Sequence, residues 1–345
     1  MKTISFMCLI SDYLGRKGYT VLEIIDQSVH RTIYKARHNK TGAIVVIKVL
    51  PNSNNSHHRN VYDPAHEIQI MKMLDHPLTV DFYDAFSDDE RTYIVMEYLP
   101  RGSLFEYILQ NGKLSEQISN NIFTQLISAI DYLHNELHIV HRDIKAENVL
   151  LDQNFNVRLI DFGLAGRISK NFPKLDFSCG SIGYMAPEIF AGHGYDEQVD
   201  IWSTGVLLFA LLTGYLPFSG QNASDIKHNI LHQNIDFPEY LSRDAKDLLS
   251  KMLERNPTKR ISIQGIKQHN WFSFNQYNAI SDFTHRIGHI NSIILKPDQL
   301  ILADIEALGI KTENLGTSLF MKDCTEATTA FKIIRRQRID SEMLY

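Results

Sequence analysis

The sequence predicts an α+β protein: a β-rich part, then a larger helical part, then a small three-helix module. Strand-like runs crowd roughly the first hundred residues, with one helical stretch among them. After Met96, apolar residues recur at helical spacing, and three short helical stripes close the chain. A run of strands followed by a run of helices is the pattern of an α+β fold.

The elements follow in order. Tyr19 to Ile25 and Ile33 to Arg37 are β-rich, and Ala43 to Val49 is nearly all β-branched. Asn39-Lys40-Thr41-Gly42 supplies the turn between the last two. Asn52 to Asn60, rich in Asn, Ser and His, reads as a loop. Ala65 to Leu74 carries Ile68, Met71 and Leu74 in helical register, and two more strand-like runs cover Thr79 to Ala85 and Thr92 to Met96. Ser115 can cap a long helix with Ile118, Ile122, Ala129, Ile130 and Leu133 on one face. Trp202 to Leu212 is apolar nearly all round, as a buried helix is, and Ser242 can cap another helix. Asp298 to Gly309 reads as a helix, Thr312 can cap a second, and Ala327, Ala330, Phe331 and Ile334 mark a third.

Bulk properties set limits. The chain of 345 residues can bury more than one core. A net charge of −5 argues against bulk nucleic-acid binding. Three scattered cysteines, Cys8, Cys179 and Cys324, make neither a disulfide framework nor a zinc ribbon, so a reducing, cytoplasmic or nuclear, setting is expected. No run approaches the roughly 18 apolar residues of a membrane span. Residues 1–18 lack the long apolar core of a signal peptide and are expected to pack beside the first strand.

The chemistry is carried by three motifs. His141-Arg142-Asp143-Ile144-Lys145-Ala146-Glu147-Asn148 comes first, Asp161-Phe162-Gly163 follows, and Ala186-Pro187-Glu188 is third. Phosphoryl transfer needs a carboxylate to orient the nucleophilic hydroxyl, and a second carboxylate with an amide oxygen to hold magnesium on the phosphates. Asp143, Asp161 and Asn148 fit those needs. The set resembles the eukaryotic protein kinase family, of serine/threonine type, over roughly Tyr19 to Phe272. The resemblance implies a bilobal protein kinase fold, with a small β-rich lobe over 19–98 and a large helical lobe over 99–273. A linker over 274–297, the helical module over 298–338 and a tail over 339–345 would follow.

The resemblance also implies roles residue by residue. Asp143 would orient the substrate hydroxyl, Lys145 would steady the γ-phosphate, and Asn148 and Asp161 would hold Mg2+ through oxygen ligands. Lys48 resembles the lysine that grips the α- and β-phosphates of ATP, and Glu67 the glutamate that pairs with it. Ile25, Ile33, Ala36, Glu97 and Leu99 would complete the nucleotide site, with Met96 at the back of the adenine pocket. Glu188 resembles the partner of a buried Arg260, and Asp200 the brace of the catalytic loop. Proteins would be the substrates.

One motif departs from the family. Its three phosphate-loop glycines are replaced by Asp26, Ser28 and Arg31. Glycine there allows close approach and conformations that other residues resist. The departure predicts weakened ATP binding and sets up an alternative reading, a feeble or inactive kinase-like scaffold. The single side chains Asp26 and Arg31 would partly offset each other's charge.

Lys174 to Ser181 resembles the AMP-activated and microtubule-affinity-regulating kinases of the calcium/calmodulin-dependent group. Phe177 stands where that branch phosphorylates a threonine, which leaves Ser178 as the expected activating site, with Arg142 as its partner. The tail resembles a ubiquitin-associated-like module, implying a regulatory contact with the catalytic domain. Ser103 replaces one of two glutamates that read upstream basic residues in substrates, while Glu147 keeps the other.

Overall fold

The computed structural model describes residues 2–29, 31–52, 63–169, 174–175, 179–192, 194–273 and 299–342. The chain divides into two compact units, Met1–Tyr98 with Arg286–Tyr345, and Leu99–His285. The linker expected over 274–297 and the site expected at Ser178 lie outside the described residues.

The first unit holds a helix α1 (Lys2–Arg16) and five antiparallel strands: β1 (Tyr19–Gln27), β2 (Thr32–His38), β3 (Ile44–Pro51), β4 (Phe82–Ser87) and β5 (Arg91–Glu97). Their order in the sheet is β1-β2-β3-β5-β4. The β-branched run of β3 favours a pleated strand, and its alternation sorts the two faces. Val45, Ile47 and Val49 join Tyr34, Ala36, Tyr93 and Val95 in one buried core. Val46 and Lys48 therefore belong to the other face. Two residues of α1 one turn apart, Ile10 and Leu14, enter the same core as Tyr19 at the start of β1. The helix α2 (Pro64–Met71) starts where Asp63 accepts from the Ala65 amide and Pro64 presets the first turn.

The second unit is mostly helical. It runs through α3 (Leu104–Asn111), α4 (Glu116–Asp131), the short strands β6 (Ile139–Val140), β7 (Val149–Leu151), β8 (Val157–Leu159) and β9 (Gly166–Arg167), and α5 (Pro187–Ala191). Then come α6 (Gln198–Thr213), α7 (Ala223–His232), α8 (Arg243–Met252), α9 (Ile263–Lys267) and α10 (Asn270–Ser273). Ser115 and Ser242 cap α4 and α8, accepting from the Ile118 and Ala245 amides. Nearly all of α6 is buried, as its all-round apolar sequence requires. The pairs β6–β9 and β7–β8 frame the segment from His141 to Asn148.

The tail folds as α11 (Gln299–Ala307), α12 (Leu315–Phe320) and α13 (Glu326–Glu342) around Ile301, Ile305, Ile310, Leu315, Ala330, Phe331 and Ile334. Thr312 is not the cap of α12: Asn314, in the left-handed region, precedes the helix, and the Thr312 hydroxyl donates to Glu306. A second stripe on α13 escaped sequence reading because it is polar. Ile333 enters the sheet core, Thr329 donates to the Tyr83 carbonyl, and Arg335 reaches Asp75 at 2.9 and 3.0 Å. Arg336, 3% exposed, donates to Glu97 Oε1 at 3.0 Å and to the Pro77 carbonyl at 3.1 Å.

Candidate active site

On the first unit, the sheet register assembles the nucleotide residues. Lys48 is the cross-strand partner of Ile33, and Ile33 of Asp26, so these three share a face. Lys48 Nζ donates to Glu67 Oε1 at 2.8 Å and Oε2 at 3.2 Å, with both side chains almost wholly buried. Val46 pairs with Lys35 on one side and Met96 on the other, which puts Met96 on the Lys48 face.

Ala36 does not belong to this group. It pairs with Val45 and Val21, opposite in parity to Ile33, and it is fully buried in the core beneath α1. Strand period two decides this, and Val46, not Ala36, shares the face of Lys48. Ile25 sits at a register shift in β1 and is 49% exposed. The Glu97 carboxylate is committed to Arg336 and to the Asp81 amide, so any nucleotide contact from Glu97 comes from its backbone. Burial raises Glu97 while Arg336 opposes that rise, and Glu97, Asp81 and Asp340 hold the guanidinium charged.

The phosphate loop is a tight turn. The Ser28 amide donates to the Arg31 carbonyl at 2.8 Å, and the Arg31 amide donates to Ser28 Oγ at 3.2 Å. Arg31 Nε and a terminal nitrogen reach Asp26 Oδ2 at 3.3 and 3.2 Å. No described residue of this turn has a positive φ, so the side chains that replace glycine impose no backbone strain there.

On the second unit, Asp143 sits at the centre of a closed network. Its Oδ2 accepts from Lys145 Nζ at 2.7 Å and from Asn148 Nδ2 at 2.9 Å. Its Oδ1 accepts from the amide and the hydroxyl of Ser181, both at 3.1 Å. Lys145 also donates to Ser181 Oγ at 2.8 Å. Asn148 spends its amide nitrogen on Asp143, and its Oδ1 accepts no hydrogen bond among the described residues. Asp161 opens a short 3-10 turn at φ 62, and Phe162 behind it is fully buried with its ring 4.9 Å from that of His141. Leu99, first in this unit, is buried.

Asp200 braces the loop from below. It accepts from the amides of His141 (2.7 Å) and Arg142 (2.9 Å) and from His134 Nε2 (2.8 Å). Burial raises its carboxyl, but these hydrogen bonds and the nearby imidazoles hold it below the usual range. The brace keeps Arg142 at φ 69, a left-handed conformation that costs a non-glycine residue on the order of 1–2 kcal/mol. Arg260 meets Glu188 in a two-pronged pair at 2.6 and 2.9 Å.

Two residues here escaped sequence reading. Gly180 is at φ +104, where a Cβ would stand 2.6 Å from the Arg142 carbonyl oxygen, so only glycine lets the segment lie against the catalytic loop. Tyr195 OH accepts from Arg142 at 3.2 Å while its backbone exchanges two hydrogen bonds with Leu175. Its phenol is pushed up to about 12 by burial, against the pull of Arg142. Gly180 lies in the segment Lys174 to Ser181 without a chemical role assigned to it from sequence, and Tyr195 lies in no motif. Ser103 also has a local reason: it caps α3 in a reciprocal capping box with Glu106.

The sheet lysine with its buried glutamate on one unit, and the loop aspartate with its lysine and asparagine neighbours on the other, are the residue sets expected of the protein kinase class. A family model for the protein kinase domain matches residues 19–272, and the chain belongs to that family. It is 37% identical over 323 residues to the SNF1-related protein kinase catalytic subunit alpha KIN12 of Arabidopsis thaliana, covering 93% of this chain and 64% of that protein. It is 36% identical over 313 residues to the serine/threonine-protein kinase SIK2 of Gallus gallus, covering 89% and 37%. With CBL-interacting protein kinase 1 of Oryza sativa subsp. japonica it shares 39% over 268 residues, covering 77% and 58%. The chain thus spans between 37% and 64% of the length of these relatives. They agree with the branch that the activation segment resembles.

The family uses ATP and Mg2+, and the residues present fit both. Asn148 keeps an unused amide oxygen, and Lys48 carries a buried, carboxylate-steadied ammonium. Among the described residues no helix is long and apolar enough to cross a membrane.

Proposed function

We propose that this chain is a serine/threonine protein kinase that transfers the γ-phosphate of ATP to protein hydroxyls. The observation that carries the reading is the closed network of Asp143, Lys145, Asn148 and Ser181. Every donor in it converges on one carboxylate and fixes its orientation, and a substrate hydroxyl would take the place of the Ser181 hydroxyl on Oδ1. Magnesium-bound ATP supplies the electrophilic phosphorus and neutralises its charge. Lys145 places a cation beside Asp143, Asn148 and Asp161 would offer oxygens to the metal, and Lys48, its ammonium fixed by Glu67, would hold phosphate oxygens. Ser181, shared between Asp143 and Lys145, fits recognition of a peptide hydroxyl. Radiolabelled phosphate transfer to a mixed-peptide array tests this reading; transfer only to small molecules, or none with ATP bound, overturns it.

The scaffold alternative rested on the lost loop glycines. The unstrained turn removes one of the reasons for it. The proposal extends to regulation. The second stripe of α13 supports a role in which the 298–338 module steadies the small lobe through Glu97. Ser178 is proposed as the activating phosphosite and the cytoplasm or nucleus as the location. Mass spectrometry of active protein, with kinetics of Ser178→Ala, tests the phosphosite: full activity in the variant refutes it. Imaging of a tagged full chain tests the location.

A further inference from the structure

The three positions that carry glycine in the family carry here a complete electrostatic device. Ser28 closes the turn with its amide and its hydroxyl. Arg31 and Asp26 bridge the turn's two ends, with side chains 40% and 46% exposed. Asp26 lies in the same cross-strand row as Ile33 and Lys48. Two strand spacings, about 10 Å, separate its backbone from that of Lys48.

We propose that Arg31 is a further phosphate-binding cation of the nucleotide site, parked on Asp26 and transferred to nucleotide phosphate when the site fills. The inference rests on the kinase reading above. An ion pair this exposed contributes little net free energy, so giving it up costs little. A guanidinium gains more on a polyanionic phosphate, which it grips through two parallel N–H groups. Asp26 has the opposite effect: once Arg31 leaves, its carboxylate faces the phosphates uncompensated. The loop so replaces the backbone approach that glycine permits with a charged side chain, and Asp26 sets how tightly phosphate must bind to claim it. Lys48 cannot act this way, because its pair with Glu67 is buried.

The test is equilibrium binding of Mg·ATP and of adenosine to the full chain and three variants. Arg31→Ala is expected to weaken Mg·ATP binding about tenfold, equivalent to about 1.4 kcal/mol, while adenosine binding stays within about twofold. Its dependence of log Kd on log salt flattens, which a merely structural role would not produce. Asp26→Asn tightens Mg·ATP binding a few-fold. The double variant recovers part of the loss, because no carboxylate then faces the phosphates. Unchanged Mg·ATP affinity in Arg31→Ala, or tighter binding in Arg31→Gly, overturns the inference while the kinase reading stands. A wild-type chain that binds neither adenosine nor Mg·ATP overturns both. Retained adenosine binding in each variant shows that it is folded.

Discussion

Two ion pairs on one sheet face have nearly the same geometry and opposite characters. Lys48 meets Glu67 at 2.8 Å with side chains 6% and 1% exposed; Arg31 meets Asp26 at 3.2 Å with both close to half exposed. In the first, solvent cannot compete, and removing either partner strands a charge. In the second, water and salt compete throughout, so the partners can be exchanged. The difference teaches that burial, not contact distance, separates a fixed part of the site from a movable one. Arg336 and Glu97 repeat the buried case at the other end of β5, where a tail residue supplies the cation.

The largest expected effect lies in the fixed part. Asp143→Asn should lower phosphotransfer by about 10²- to 10⁴-fold while the melting temperature stays near wild type. Near-normal turnover in the folded variant would show that the closed network is not the catalytic one. Next comes Arg336→Ala, which leaves Glu97 buried without its cation and should cost about 3–5 kcal/mol in denaturant unfolding. A loss below about 1 kcal/mol would mean that the tail pair behaves like the exposed one.

A smaller effect depends on pH. Asp200 is held below its ordinary value when folded, so its contribution is present above the unfolded carboxylate value of about 3.9 and is lost as pH falls through the lower folded one. Asp200→Asn should therefore be less stable than wild type near neutrality, and the gap should close below about pH 4. A gap that persists unchanged into strong acid would assign the difference to packing instead. The smallest effect is expected for Arg31→Ala, within about 1 kcal/mol of wild-type stability despite its altered nucleotide binding. A loss as large as that of Arg336→Ala would erase the contrast between the two pairs.

Legibility followed the range of the interactions. The serine caps at Ser115 and Ser242 and the apolar run of α6 were readable because each depends on residues a few positions apart. The candidate catalytic loop and the oxygen donors proposed for magnesium were readable because the chemistry restricts residue type at each place. Ala36 was misplaced because the sequence shows a small residue near the right position but not the strand parity that turns it to the core. Thr312 was misplaced because Asn314 could adopt the left-handed conformation that starts α12. Gly180 lies in the recognised segment Lys174 to Ser181 and Tyr195 in no motif, but the part each plays comes from Arg142, far away in sequence.

By itself the sequence determined the order of strands and helices, the candidate reacting residues and the unusual composition of the phosphate turn, because propensity and chemistry act locally. Only the tertiary structure decided that α13 presents a polar stripe to β4 and β5 and that Glu97 is buried against Arg336. Those outcomes depend on which charges lose their water when distant segments pack. Burial of that kind is a property of the assembled surface, not of any stretch of chain.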